Sequence, residues 1–208
     1  MQYLSAMRAS ERQVSLEETL RRIELFGERV APLGVVVHRV ETAVEARSAI
    51  RELTEAIGAE MARISAELAA AYESAFLDTA GGDLCFQIAV DPQASRDALV
   101  GITLATGAIA ETGSVMLSEP DLANRSVGLL SLNLVVIVPT RLLHESLDDV
   151  TSYLRAQAKR PGGAYTTLLT GPSRTADIEM SLTVGVQGPG RVVVVFVDEE
   201  PRNEPLAQ

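Results

Sequence analysis

The sequence is poor in aromatic residues and in side chains that bind metals or carry redox chemistry. Its 208 residues include no Trp, four Phe and four Tyr. A core made from this composition rests on Val, Leu, Ile and Ala, which favours layered helices and sheets over an aromatic-rich sandwich. Cys85 is the single cysteine, and His38 and His144 are the two histidines. One thiol excludes an internal disulfide, and too few ligands remain for an iron–sulfur cluster or a structural zinc. Cys85, beside Leu84 and Phe86, is expected to be a small buried hydrophobe. Both histidines read as isolated structural residues, so no metal site is expected.

Positive charge is also scarce. Eighteen Lys and Arg stand against 28 Asp and Glu, for a formal net charge of −10. Such a field repels phosphate backbones and anionic membranes, so nucleic acid is not an expected partner. It leaves room for a local anion site, because backbone N–H groups and one arginine suffice. No apolar run reaches the roughly 18 residues of a membrane span, and the opening MQYLSAMRASER lacks a signal-peptide core. The expectation is a soluble, cytoplasmic protein. The rest is ordinary globular material, 47% apolar and 22% charged. The length suits a single domain over 1–208, with a helical region to about 32, a core over about 33–198 and a frayed acidic tail over 199–208.

Along the chain, Ser15 and Glu18 form a capping box ahead of an apolar stripe through Leu16, Leu20, Ile23 and Phe26 or Val30, which Pro32 and Gly34 stop. GVVVHRV (34–40) reads as a first central strand. Thr42 to Ile57 returns to helical spacing. MARIS reads as a strand, AELAAAYESAFLD as one helix closed by Ala80-Gly81-Gly82, and Asp91-Pro92 as the start of a helix to Val100. GITLATGAIAETGSVML (101–117), with glycines at 107 and 113, reads as strand, turn, strand: one inserted hairpin. A short helix over 124–132, a buried strand LNLVVIVP (132–139) and an amphipathic helix over 147–158 follow. TTLLTG and RVVVVFVD (191–198) complete the set as buried strands. This alternation predicts an α/β fold, a mostly parallel sheet with helices on both faces.

Three polar segments interrupt the apolar pattern. GPSRTADIE (Gly171 to Glu179) leaves what reads as the carboxyl end of a sheet strand, where ligands of parallel sheets collect. Gly171-Pro172 turns the chain, Ser173 or Thr175 can cap a helical turn, and Arg174 can hold an anion with two hydrogen bonds. Asp177 and Glu179 add two carboxylates. The segment is either a capped helix with solvated carboxylates or part of a ligand site. In Glu111-Thr112-Gly113-Ser114, Glu111 falls between Ile109 and Val115 and is expected to be buried, as a catalytic acid or base or as a structural tie to backbone N–H groups. Gln187, in a turn before the last strand, either orients a ligand or has no function.

Taken together, AETGSVML, LLSLNLVVIVP, GPSRTADIEMSLTVGVQGP and the terminal VVVVFVD resemble the lactate-utilisation (LUD) domain family, of the LutC/YkgG type. The resemblance covers about residues 99–198. It implies a NagB/RpiA/CoA-transferase-like fold and a role in oxidising L-lactate to pyruvate. It also implies two partner proteins, one or both carrying iron–sulfur clusters, with no cofactor in this chain and a small carboxylate or phosphate as ligand. Family members often carry one histidine before the buried strand and another in a GVHGP turn, where this chain has Asn133-Leu134 and Gln187. Alternatives within the same resemblance are an independent CoA-transferase-like or sugar-phosphate-isomerase-like enzyme and an interaction module that has lost its site.

Overall fold

The computed structural model describes residues 14–77, 85–96, 98–119, 121–160, 165–175, 183–185 and 188–202. Helix α1 (Leu16–Val30) starts where Ser15 accepts a hydrogen bond from the Glu18 N–H and buries Phe26 and Val30. A 3-10 turn containing Pro32 ends it, and Gly34 takes the left-handed conformation at φ 77°. Strand β1 (Val36–Val40) leads to α2 (Ala43–Ala56), which opens with a complete capping box between Thr42 and Glu45. Strand β2 (Met61–Ile64) is followed by α3 (Ala66–Ala71) and α4 (Glu73–Phe76). Tyr72 (φ −131°, ψ 48°) breaks the single helix expected there. Then come β3 (Cys85–Ile88), β4 (Val100–Leu104), β5 (Gly107–Ile109), β6 (Ser114–Ser118) and α5 (Leu122–Leu130). The chain continues through β7 (Asn133–Pro139), β8 (Leu143–His144), α6 (Thr151–Ala158) and β9 (Thr166–Leu169). It closes with the short pair β10 (Arg174–Thr175) and β11 (Thr183–Val184), then β12 (Arg191–Val197).

Six strands form a wholly parallel sheet in the order β1-β12-β7-β4-β2-β3. Alternate residues sort to its two faces. Ile102, Leu104, Val135, Ile137, Val193 and Val195 pack with α2, α3 and α4. Leu134, Val136, Val138, Val192, Val194 and Phe196 pack with α1 and a second sheet. Strands β7 and β12 have neighbours on both edges and are buried almost throughout, the reason they read as unbroken apolar runs.

The expected α/β architecture with a parallel sheet and helices on both faces is present, and several local expectations are corrected. The hairpin β5–β6 is the centre of a four-stranded sheet, order β8-β5-β6-β9, while β4 belongs to the parallel sheet. TTLLTG is therefore not a buried strand of the parallel sheet: β9 pairs antiparallel with β6 and is half exposed. β1 is an edge strand, not a central one. Asp91-Pro92 opens only a 3-10 turn (Pro92–Ser95), because Val100 already lies in β4. Cys85 is exposed, since β3 is the other edge and turns it outward. The tail is held as far as 202: Glu199 accepts from the Ala43 N–H at 2.8 Å, and the Arg202 N–H donates to Ala71 at 2.9 Å.

Gly101 lets α5 lie against β4. A Cβ there would stand 2.1 Å from Ser131 Oγ and 2.8 Å from the Val127 carbonyl oxygen. Backbone cannot yield as a side-chain tip does, so Gly101→Ala overpacks this contact. Urea unfolding is expected to register a loss of about 2 kcal/mol or more; unchanged stability would show that α5 is free to lift.

Candidate functional site

Of the three polar segments, the one at 111–114 touches Thr170, the residue just before Gly171. Ser114 Oγ lies 2.6 Å from Thr170 Oγ1 and accepts from Thr112 Oγ1 at 2.9 Å. Gly113 turns at φ 67° against α1, where a Cβ would meet Val30 at 2.6 Å and Arg29 at 2.9 Å. Glu111, expected to be buried, is exposed in the turn beyond Ile109, and its Oε2 accepts from the Leu147 N–H at 3.1 Å. Gly171 packs beside Leu33 and Val35. The Ser173 N–H donates to the Pro189 carbonyl at 2.9 Å, and Arg174 Nη2 donates to the Leu33 carbonyl at 2.9 Å.

These contacts put the 171–175 segment beside the amino ends of β1 and β12. The segment does leave the carboxyl end of β9, but β9 belongs to the other sheet, so it does not stand at the carboxyl edge of the parallel sheet as expected. Arg174 and Thr175 are extended, and the Thr175 backbone pairs with Thr183. Asp177, Glu179 and Gln187 lie outside the described residues.

A second cluster, missed in the sequence, occupies the carboxyl side of the parallel sheet. In chain order the sheet steps outward from β2 to β3, returns to β4 and then advances the other way to β7 and β12. The carboxyl ends of β2 and β4 therefore flank the topological switch point, where a crevice opens in folds of this type. Ser65 and Glu67 follow β2, and Thr103 lies near the end of β4. Glu119, just after β6, is only 6% exposed, and its Oε1 accepts from Thr103 Oγ1 at 2.7 Å. Helix α5 closes over them. Asp121 Oδ1 caps it by accepting from the Ala123 and Asn124 N–H groups at 2.9 and 3.1 Å.

Asn124 then joins the elements. Its Oδ1 accepts from the Ala66 N–H at 2.8 Å, and its Nδ2 donates to Glu67 Oε1 at 2.7 Å. The Arg125 guanidinium lies 3.6 Å over the Tyr165 ring, and the Tyr165 carbonyl accepts from the Glu119 N–H at 3.0 Å.

Burial sets the proton affinities here. The Glu119 carboxyl is pushed up to about 7, first by withdrawal from water and then by the nearby Glu67; the Thr103 hydrogen bond and Arg125 oppose the shift. Glu67 is raised too, first by burial and then by Asp121, against its own backbone and Asn124 hydrogen bonds. Near neutrality Glu119 is partly protonated, so its second oxygen can donate or accept. A carboxyl poised there suits general acid–base chemistry or proton-linked binding. The clue available in the sequence was slight: one Glu two residues beyond the run SVML and two before the helix cap Asp121.

A cavity of about 30 Å³ lies elsewhere, between α2 and the face of β1, β12 and β7, lined by His38 and Arg191 among apolar residues. It admits little more than a water molecule.

The LUD-domain model matches residues 23–197. The chain belongs to the LUD-domain family. A relative named Lactate utilization protein C 1, from Bacillus mycoides, is 36% identical over 112 residues, covering 53% of this chain and 48% of that protein. Lactate utilization protein C of Halalkalibacterium halodurans is 36% identical over 107 residues, covering 50% and 46%. This LUD-domain chain thus spans about half the length of the curated relatives it matches. A crystal structure of a DUF162 family protein from Deinococcus radiodurans superposes with a TM-score of 0.61 at 22% identity, over 86% of this chain and 98% of that one. That likeness establishes the shared fold.

The raised proton affinity of Glu119 has a signed consequence for stability. It is higher folded than unfolded, so the native state holds the extra proton and gains stability at low pH. That gain is complete below about 4.5 and is lost as pH rises through about 7. Between these values wild type is expected to lose roughly 3 kcal/mol relative to Glu119→Gln, since each tenfold change in proton affinity is worth about 1.4 kcal/mol. Urea melts of both proteins from pH 4.5 to 8 check it; parallel curves would refute the raised affinity.

Proposed function

We propose that this chain serves the oxidation of L-lactate to pyruvate as a lactate-utilization protein C-like component, with the redox centres on partner proteins. Family membership together with relatives of that name carries the reading. A single cysteine cannot hold an iron–sulfur cluster in the usual way, so electrons from lactate pass to clusters on the partners. The chain itself is soluble and cytoplasmic on this reading, consistent with a structure in which no helix of the described residues is long and apolar enough to cross a membrane.

The two polar regions divide the work. The amino-edge belt of Thr112, Gly113, Ser114, Gly171, Ser173, Arg174 and Thr175, with Glu111 at its rim, meets a partner or an anionic group. Arg174 is exposed and supplies a positive charge at this edge. An independent enzyme using Glu111 as nucleophile is the weaker reading, since that carboxylate is solvated and engaged by the Leu147 N–H.

Deleting the gene is expected to abolish growth on L-lactate while leaving growth on pyruvate intact. Affinity-tagged protein from lactate-grown cells is expected to bring down an iron-containing protein, and Arg174→Glu to reduce that recovery several-fold. Unimpaired growth of the deletion strain on L-lactate would overturn the assignment.

A further inference from the structure

Strand β9 leaves one side of its backbone unpaired. The Glu119 N–H donates to the Tyr165 carbonyl at 3.0 Å, and in the same antiparallel register Thr167 stands opposite Leu117 and Leu169 opposite Val115. Opposed residues in such a ladder alternate between exchanging both backbone hydrogen bonds and exchanging none. Tyr165, Thr167 and Leu169 therefore turn their peptide groups toward β6, and Thr166, Leu168 and Thr170 turn theirs away. β9 ends its sheet, and no backbone hydrogen bond among the described residues engages those three.

Free edges invite another strand, and proteins guard them with charge, proline, bulges or brevity. The other edges here are guarded. β1 carries His38 and Arg39, the latter paired with Asp198; β8 has two residues; the Arg63 guanidinium lies against Gln87 of β3. β9 has no such device. Every residue from Tyr165 to Thr170 is uncharged, none is Pro or Gly, and Tyr165 and Leu168 are 57% and 43% exposed.

Charge selects the occupant. Residues 151–175 contain Arg155, Lys159, Arg160 and Arg174 and no Asp or Glu, in a chain whose formal net charge is −10. Arg125 adds a guanidinium 3.6 Å over the Tyr165 ring. Among the described residues, no carboxylate lies within ion-pair distance of any of the five. Helix α6, which carries Arg155, is tied to the strand through hydroxyls: Tyr153 Oη lies 2.8 Å from Ser118 Oγ, itself 2.8 Å from Thr166 Oγ1. Cations thus precede and follow β9. A second copy pairing antiparallel through its own β9 would set like charges against each other, whereas an acidic strand meets opposite charge at both ends.

We propose that the free edge of β9 takes an extended acidic segment of a partner protein as a fifth strand, through main-chain hydrogen bonds to Thr166 and Leu168, with the flanking cations meeting its carboxylates. This rests on the reading that a partner meets the neighbouring amino-edge belt, which the Ser114–Thr170 contact joins to β9.

Fluorescence anisotropy of the full chain with three labelled synthetic peptides tests it. The first alternates Thr and Val and has two Glu at each end; the second replaces those Glu with Lys; the third keeps the Glu and has Pro at alternate central positions. The first is expected to bind at least tenfold more tightly than either of the others, and to weaken severalfold between 50 and 500 mM salt. Leu168→Pro removes an outward N–H without touching the β6 ladder and is expected to weaken the first peptide at least tenfold. Amide exchange on wild type provides a measurement independent of any variant: the first peptide is expected to slow exchange at Thr166 and Leu168 severalfold, while Thr167 and Leu169 are protected with or without it.

The proposal is overturned if the first peptide does not bind, or if the second or third binds as well. Binding that leaves exchange at Thr166 and Leu168 unchanged, or that survives in folded Leu168→Pro, overturns it too. Sedimentation showing a wild-type dimer that Leu168→Lys converts to monomer would assign the edge to a second copy instead. Gene-dependent growth on L-lactate with no peptide binding would sink this edge and leave the pathway reading standing; peptide binding without that dependence would do the reverse.

Discussion

A carboxyl group almost out of water, held by one threonine hydroxyl, constrains the middle of this molecule. The Thr103–Glu119 hydrogen bond fastens the end of β6, in the second sheet, to β4 in the parallel sheet. The same residue pairs through its N–H with Tyr165, whose ring carries Arg125. Helix α5 cannot close over this junction unless β4 is smooth beneath it, which Gly101 provides. Asn124 then reaches across to Ala66 and Glu67. One small polar network thus ties the carboxyl ends of β2 and β4 to the second sheet, at the place where the strand order reverses.

Buried networks of this kind are costly when incomplete. A hydrophobic residue at 119 would spare the desolvation of a carboxyl, and nothing in the packing of the parallel sheet calls for an acid there. A ligand or a proton that completes the network would account for its retention. The amino edge of the sheet differs in kind: Arg174, Ser173 and the hydroxyls of Ser114 and Thr170 are satisfied by backbone carbonyls or by one another. That edge is suited to holding the chain together and meeting another surface, and the carboxyl edge to small-molecule chemistry.

The elements with strong local signals were legible in the sequence. Ser15, Thr42 and Asp91 capped as their types predict, and the Val-rich β7 and β12 could only be buried parallel strands. What failed was information carried by pairing. TTLLTG has the composition of a buried strand, and only its partner β6 assigns it to the second sheet. Cys85 sits in an apolar context but on an edge strand, whose outward face no local pattern reveals. Glu111, expected to be buried, is exposed, and Glu119, for which no expectation was formed, is buried, for the same reason. Both are single acids beside apolar runs, and the turn geometry that exposes one and the helix that covers the other are tertiary facts.

Ser114, in one segment of the family resemblance, touches Thr170, just before another, whereas the cluster around Glu119 has no spacing motif because its members come from five elements or their flanks. Most depends on the protonation of Glu119. A carboxyl-detected carbon NMR titration, assigned by comparison with Glu119→Gln, measures it directly. A midpoint near 7 is the predicted result, and a midpoint at the ordinary value of about 4.5 would contradict it.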